Sequence, residues 1–188
     1  MKTETEVSAL PTRMMELTMG ATVSQGVSAA AELGVADALA DGPRPVDEIA
    51  TRVGADAPSL CRLMRALADV EVFEQLDGRR FALTPLGDLL RTDAPGSLRL
   101  WAIMLGAPFH RETLTGLAGS VRTGEPAFMR LYDGWDHFHD HPADGQVLNA
   151  AMTAVSKQFI APVVERYDFA SAGGPGSRPR RGGTNPWS

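Results

Sequence analysis

Apolar residues recur along most of this chain at helical rather than strand spacing. Leu60, Leu63, Met64, Leu67 and Val70 fall at i, i+3, i+4, i+7 and i+10, which predicts one apolar helix face over Pro58–Val70. Upstream, apolar positions from Pro11 through Met14, Leu17 and Val23 to Leu33 predict one broken helix or two consecutive ones, ended by Gly34. Val35–Leu39 makes a further turn, closed by Asp41-Gly42-Pro43. Val46–Gly54 is a short helix with acids in its first turn and a glycine at its end. Beyond Val70 the period changes. Val72–Leu76 and Arg79–Leu83 flank Asp77-Gly78 and predict a β-hairpin, after which Thr84-Pro85 caps a short helix over Leu86–Leu90.

Helix, helix, hairpin is a winged-helix order, so the fold class is mainly α with a winged helix and one short β-hairpin. The second half returns to helices over Ser97–Leu105, Phe109–Val121 and Ala143 to about Tyr167. Thr123–Asp140 between them reads as an aromatic-rich loop or a set of short turns. Residues 1–10 read as a flexible N-terminus and 11–169 as one domain. Residues 170–188, dominated by Gly, Pro, Ser and Arg with only Trp187 to bury, read as a disordered tail that cannot offset its own ordering entropy.

Composition narrows the function classes. The 188 residues are 44% hydrophobic and 22% charged, ordinary values for a globular chain with a real core. A formal charge of −5 argues against sequence-independent binding to nucleic acid, which needs clustered Lys and Arg to displace phosphate counterions. Cys61 is the single cysteine, which excludes an internal disulfide framework and fits a reducing cytoplasm. No apolar stretch is long and clean enough for a membrane span, and no secretory signal stands at the start. A soluble cytoplasmic protein is expected.

Five pieces occur in one order: "AAELGVADALADGP" (30–43), "VDEIATRVGADAPSLCRLMRAL" (46–67), "FALTPLGDLLRTDAPGSLR" (81–99), "VRTGEPAF" (121–128) and "FIAPVVERYDF" (159–169). Together they resemble the N-terminal region of the plant-catechol-type O-methyltransferases, in particular the bacterial members that tailor polyketides. The resemblance covers most of residues 12–169. It implies a helical dimerisation domain containing the winged helix, a homodimer, a small aromatic acceptor, and no nucleic-acid or membrane partner. It also implies S-adenosylmethionine as the family's cofactor, bound by a Rossmann-like domain that follows this region. That domain opens with a strand and an acidic, glycine-rich loop. Here Phe169 is followed by Gly173-Gly174-Pro175-Gly176 with no apolar strand before it, so the cluster reads as a linker and the chain as truncated before the cofactor domain. Codons for residues 179–183 read one base later can give Leu-Val-Glu-Val-Gly, which makes a frameshift near residue 170 a candidate origin. No cofactor is expected to bind this chain, and no catalytic activity is expected of it alone.

The family's base, a histidine that takes the acceptor hydroxyl's proton, belongs to that following domain. No catalytic residue is therefore assigned among the four histidines. By resemblance, Trp101, Met104, Phe109, His110, Arg111, Met152 and Phe159 roof the acceptor pocket, where flat aromatic ligands suit aromatic and Met side chains. Plain core packing is the competing reading for each. Met14, Met15, Leu17 and Met19 cover more of their helix than one buried stripe needs and are expected at the dimer interface. His137, His139 and His141 in "WDHFHDH" invite a metal reading if extended, with Asp136 and Asp140 adding oxygen. A solvated loop is the simpler reading, and no metal site is assigned. The alternative function, a winged-helix DNA-binding regulator, would use Pro58–Val70 as recognition helix and Asp77–Arg80 as wing tip. Against it, the five arginines 62, 65, 79, 80 and 91 are matched by the five acids 69, 71, 74, 77 and 88.

Overall fold

The computed structural model describes residues 10–166. The expected flexible N-terminus up to residue 9, Tyr167-Asp168-Phe169 and the Gly/Pro/Arg tail lie outside the described residues. The chain opens with one unbroken 24-residue helix, α1 (Leu10–Leu33), where the sequence left a break open. Its glycines do not interrupt it, because its C-terminal half is held by packing. Ser28, Ala30 and Ala31 are buried there, and a Cβ on Gly26 would make only ordinary contacts with Leu63 and Leu67. Gly34, at φ 73°, turns the chain into α2 (Val35–Ala38).

The winged helix is built as its local signals dictate. It runs β1 (Arg44–Pro45), α3 (Val46–Val53), α4 (Ala57–Ala68), β2 (Phe73–Leu76), a tight 3₁₀ turn over Asp77–Arg79, β3 (Arg80–Leu83) and α5 (Pro85–Asp88). Asp56 caps α4, its carboxylate accepting the Ser59 N–H at 2.8 Å. The Thr84 hydroxyl accepts the Gly87 N–H at 3.0 Å, and it donates back to the Glu71 carbonyl at 2.6 Å. Helix α5 is thereby pinned to the strand entry.

The hairpin belongs to a three-stranded antiparallel sheet of order β1-β3-β2, one strand more than expected. In it Arg44 pairs with Phe81, and Phe73 with Leu83. Strand β1 carries no alternating pattern, and Pro45 is tolerated because the strand lies at a sheet edge. Val35, Leu39, Val46, Ile49, Leu60, Met64, Leu67, Phe73 and Phe81 close a continuous core between sheet and helices.

A helical second half follows: α6 (Arg99–Gly106), α7 (Pro108–Thr115), α8 (Leu117–Thr123), α9 (Ala127–Tyr132), α10 (Asp136–Asp140) and α11 (Pro142–Arg166). Two expectations are corrected here. The single helix over Phe109–Val121 is broken at Gly116, where α9 packs so closely that a Cβ would lie 2.6 Å from the Ala127 Cβ. The segment 123–140, expected as a loop or a set of short turns, holds two helices whose half-buried Phe128, Tyr132 and Phe138 rings pack together. Helix α6 packs against both α1 and α11, so it joins the winged helix to the second half. Among the described residues, no helix is long and apolar enough to cross a membrane.

Candidate functional site

The second half is organised around an aromatic cluster that the sequence reading missed. Phe109 meets Phe138 edge-on at 5.4 Å, and Phe128 stacks on Phe138 at 5.4 Å. Met104, Phe109 and Ala151 are its buried centre, with Trp101, Phe128, Tyr132, Phe138, Val147 and Leu148 around them. His137 lies inside this cluster and is only 9% exposed. Its Nε2 is 2.8 Å from Asp144 Oδ2. Because a carboxylate only accepts, Nε2 carries the proton and donates to it. His141 stacks on the other side of the ring at 4.4 Å.

The solvated-loop reading of "WDHFHDH" is thus corrected at His137, although His139 is exposed and lies 3.1 Å from Asp140. The extended geometry that a shared metal face required is absent, because on helix α10 residues two apart point to different sides. Among the described residues, no group of three potential ligands is gathered for a metal. A signal for the cluster was available. Phe128, Tyr132, Trp135 and Phe138 stand at i, i+4, i+7 and i+10, a helical rather than a loop spacing.

The Tyr132 hydroxyl donates to Glu112 Oε2 at 2.5 Å, tying α9 to α7. Loss of solvation, then that hydrogen bond, pushes its phenol up to about 12. It stays protonated through the neutral range and serves as a strut, not as a base. Burial lowers His110 below the ordinary histidine range, so its imidazole is neutral at pH 7.

The seven expected acceptor-lining residues divide into groups. Met104 and Phe109 are buried in the aromatic cluster, and Trp101 packs against it half-buried. His110 is half-buried and Arg111 exposed, side by side on α7. Met152 and Phe159 lie two turns apart on one side of α11, Phe159 at 70% exposure. The structure therefore packs Met104 and Phe109 into a core and leaves Met152 and Phe159 open on α11.

Two clefts border α6. One, of about 520 Å³, lies between the segment before α6 and α11, lined by Thr92, Ser97, Arg99, Leu100, Lys157 and Gln158. Arg99 is already engaged, its Nε donating to the Ala31 carbonyl at 2.8 Å and its Nη1 to the Thr92 hydroxyl at 3.2 Å. The other is an apolar groove of about 340 Å³ between α1, α5 and α6, which Trp101 also lines. Beside that groove every residue from Leu10 to Thr22 of α1 is exposed, including all four expected interface residues, Met14, Met15, Leu17 and Met19.

S-adenosylmethionine needs close backbone approach at a glycine-rich strand-to-helix turn. Among the described residues the three strands are short and antiparallel, and none runs through such a turn. These residues do not fit the cofactor.

Comparison with known proteins bears on the whole arrangement. A family model described as the O-methyltransferase dimerisation domain matches residues 15–93. The phenazine O-methyltransferase of Lysobacter antibioticus is 38% identical over 160 residues, covering 84% of this chain and 46% of that protein. The crystal structure of LaPhzM superposes with a TM-score of 0.79 at 36% identity, over 85% of this chain and 48% of that one. An O-methyltransferase from neocarzinostatin biosynthesis, solved with S-adenosylmethionine and 2-hydroxy-5-methyl naphthoic acid, gives a TM-score of 0.65 at 32% identity. That match covers 80% of this chain and 47% of the solved one. The chain spans about half the length of the curated relatives it matches.

Proposed function

We propose, from the match of residues 15–93 to the O-methyltransferase dimerisation-domain family, that this chain is the dimerising and acceptor-binding part of an S-adenosylmethionine-dependent O-methyltransferase. The acceptor in this reading is a flat aromatic natural product, methylated in the cytoplasm. The family match carries the proposal, and it spans the whole winged helix, so that motif is accounted for without a DNA-binding role. Support comes from the residue types: Trp101, Met104 and Phe109 share one cluster, Met152 and Phe159 are open on α11, and neutral His110 and cationic Arg111 follow Phe109 on α7. Ring surfaces, one neutral hydrogen-bonding group and one charge are the mix that orients a hydroxylated aromatic ligand. The described residues supply neither methyl donor nor base in this scheme.

The assembly proposed is a homodimer, with Met14, Met15, Leu17 and Met19 of α1 at its interface. Residues 10–22 of α1 carry five large apolar side chains, none covered among the described residues, and a helical segment of this length is marginal in water and gains its stability from packing. Light scattering behind size exclusion tests this on the 188-residue chain. A mass of about twice the 20.1 kDa protomer is expected, and a monomer at micromolar concentration overturns it. Calorimetric titration with S-adenosylmethionine is expected to show no binding, and clear heat of binding overturns the assignment of the cofactor site to residues other than those described.

A further inference from the structure

The cleft between α11 and the segment before α6 has a charge opposite to that of the whole chain. The chain carries −5, yet this cleft of about 520 Å³ is lined by two cations, Arg99 and Lys157, and by no carboxylate. Neither charge is fully neutralised. The Arg99 Nε comes only to 3.9 Å from the Asp37 carboxylate, whose oxygens already accept the Thr92 N–H at 2.7 Å and the Thr92 hydroxyl at 2.8 Å. The Arg99 Nη2 makes no hydrogen bond among the described residues. Lys157 is exposed and forms no ion pair among them. Apolar surface comes from Leu100 and Ala154, and the Gln158 amide ties the two walls together by donating to the Gly96 carbonyl. The cleft also meets the first turn of α6, whose amide N–H groups add partial positive charge to that of the two side chains.

We propose that this cleft binds a small phosphate monoester, its phosphoryl group held by Arg99 and Lys157 and its organic body lying on Leu100 and Ala154. Charge selects the phosphate. A monoester carries about −1.5 to −2 at pH 7 and so matches two cations, whereas a carboxylate leaves one of them unmatched. Arginine supplies a planar pair of donors and lysine a point charge, and both are suited to phosphate oxygens. Size selects the ester. The volume falls within the roughly 300–1,000 Å³ of small-molecule sites, and bare inorganic phosphate would leave most of it empty. The site is separate from the acceptor-binding residues proposed above. By the helical period, Ala154, Lys157 and Gln158 face away from Met152 and Phe159 on α11. A bound ester would tie α11 to the start of α6 from the side opposite those residues.

Calorimetric titration of the full chain with phenyl phosphate, at constant ionic strength, tests the proposal. Saturable binding is expected, at least threefold tighter at pH 7.5 than at pH 5.5, because the second phosphate proton leaves at about pH 6. Benzoate and inorganic phosphate are each expected to bind at least tenfold more weakly. Lys157→Ala, which removes one cation, and Ala154→Phe, which fills the cleft, are each expected to weaken phenyl phosphate binding at least tenfold, with circular dichroism confirming the fold. Met152→Ala, on the other side of α11, is expected to leave it unchanged. Absence of saturable heat overturns the site, and binding that survives Lys157→Ala overturns its location. Benzoate binding as tightly as phenyl phosphate overturns the choice of phosphate, and inorganic phosphate binding as tightly overturns the role of the apolar wall. Each of these failures leaves the acceptor-binding proposal standing, because that proposal uses other residues.

Discussion

The crossing of α1 and α6 is the joint on which this architecture depends, and Gly106 is its tightest point. A Cβ added there would stand 1.8 Å from the Ser28 Oγ and 2.5 Å from the Ser28 Cβ, with Gln25 Nε2 at 3.2 Å. The two nearest atoms belong to a short, buried side chain on a rigid helix, so no flexible tip can swing away. Gly106→Ala therefore forces α6 and α1 apart. Overpacking of this kind costs about 1–3 kcal/mol, and the better helix propensity of alanine returns less than about 1 kcal/mol at a last helical position. A net loss near 2 kcal/mol lowers the melting temperature by roughly 4–8 °C for a domain of this size.

The companion variant Ser28→Gly removes both clashing atoms and alone costs about 1 kcal/mol as a helical glycine. Denaturant titrations followed by far-UV circular dichroism, all at one protein concentration because dimerisation adds to apparent stability, give the four corners of a double-mutant cycle. The double variant is expected to be more stable than the sum of the single losses by at least about 1 kcal/mol. Losses that add within about 0.5 kcal/mol, or a neutral Gly106→Ala, refute the close-crossing argument.

Asp144→Ala leaves the His137 Nε2–H without its acceptor inside the aromatic cluster. A loss of about 2 kcal/mol in denaturant titration is expected, and an unchanged midpoint would show that the pair is not formed in solution. Tyr132 is expected to ionise only at about pH 12 by ultraviolet absorbance, with Tyr132→Phe removing that late step. Because the folded value lies above the ordinary tyrosine value, the fold binds the phenolic proton more tightly than the unfolded chain does. Its stabilising contribution is complete below pH 10 and declines as pH rises toward 12. Titration of Tyr132 at its ordinary value would contradict this.

Local signals carried much of the fold into the sequence. The Leu60–Leu67 stripe, the Thr84-Pro85 cap and the glycine closing α3 each act within a turn or two of chain, so spacing and residue type suffice to read them. What escaped depends on partners far along the chain. Strand β1 exists because Phe81 and Arg80 pair with Arg44 and Pro45. The break at Gly116 exists because α9 needs the space that a side chain would fill. His137 became a core residue through Asp144 and the rings of Phe128 and Tyr132, none of which a three-histidine pattern advertises. Of the candidate acceptor residues, only their apolar character at helical spacing was legible. That Met104 and Phe109 are buried, while Met152 and Phe159 stay open, follows from how α6, α7 and α11 pack together.

If these residues are the dimerising and acceptor-binding part of a methyltransferase, they should work when joined to a cofactor domain. The most direct measurement replaces the corresponding N-terminal segment of the Lysobacter antibioticus phenazine O-methyltransferase with residues 10–166 of this chain. Methyl transfer from S-adenosylmethionine is then followed by mass spectrometry on hydroxylated phenazines and naphthoates. A dimeric chimera that methylates at least one of these acceptors is expected, with KM raised at least tenfold by Met152→Ala together with Phe159→Ala. A chimera that dimerises and binds S-adenosylmethionine but methylates none of them would contradict the proposal.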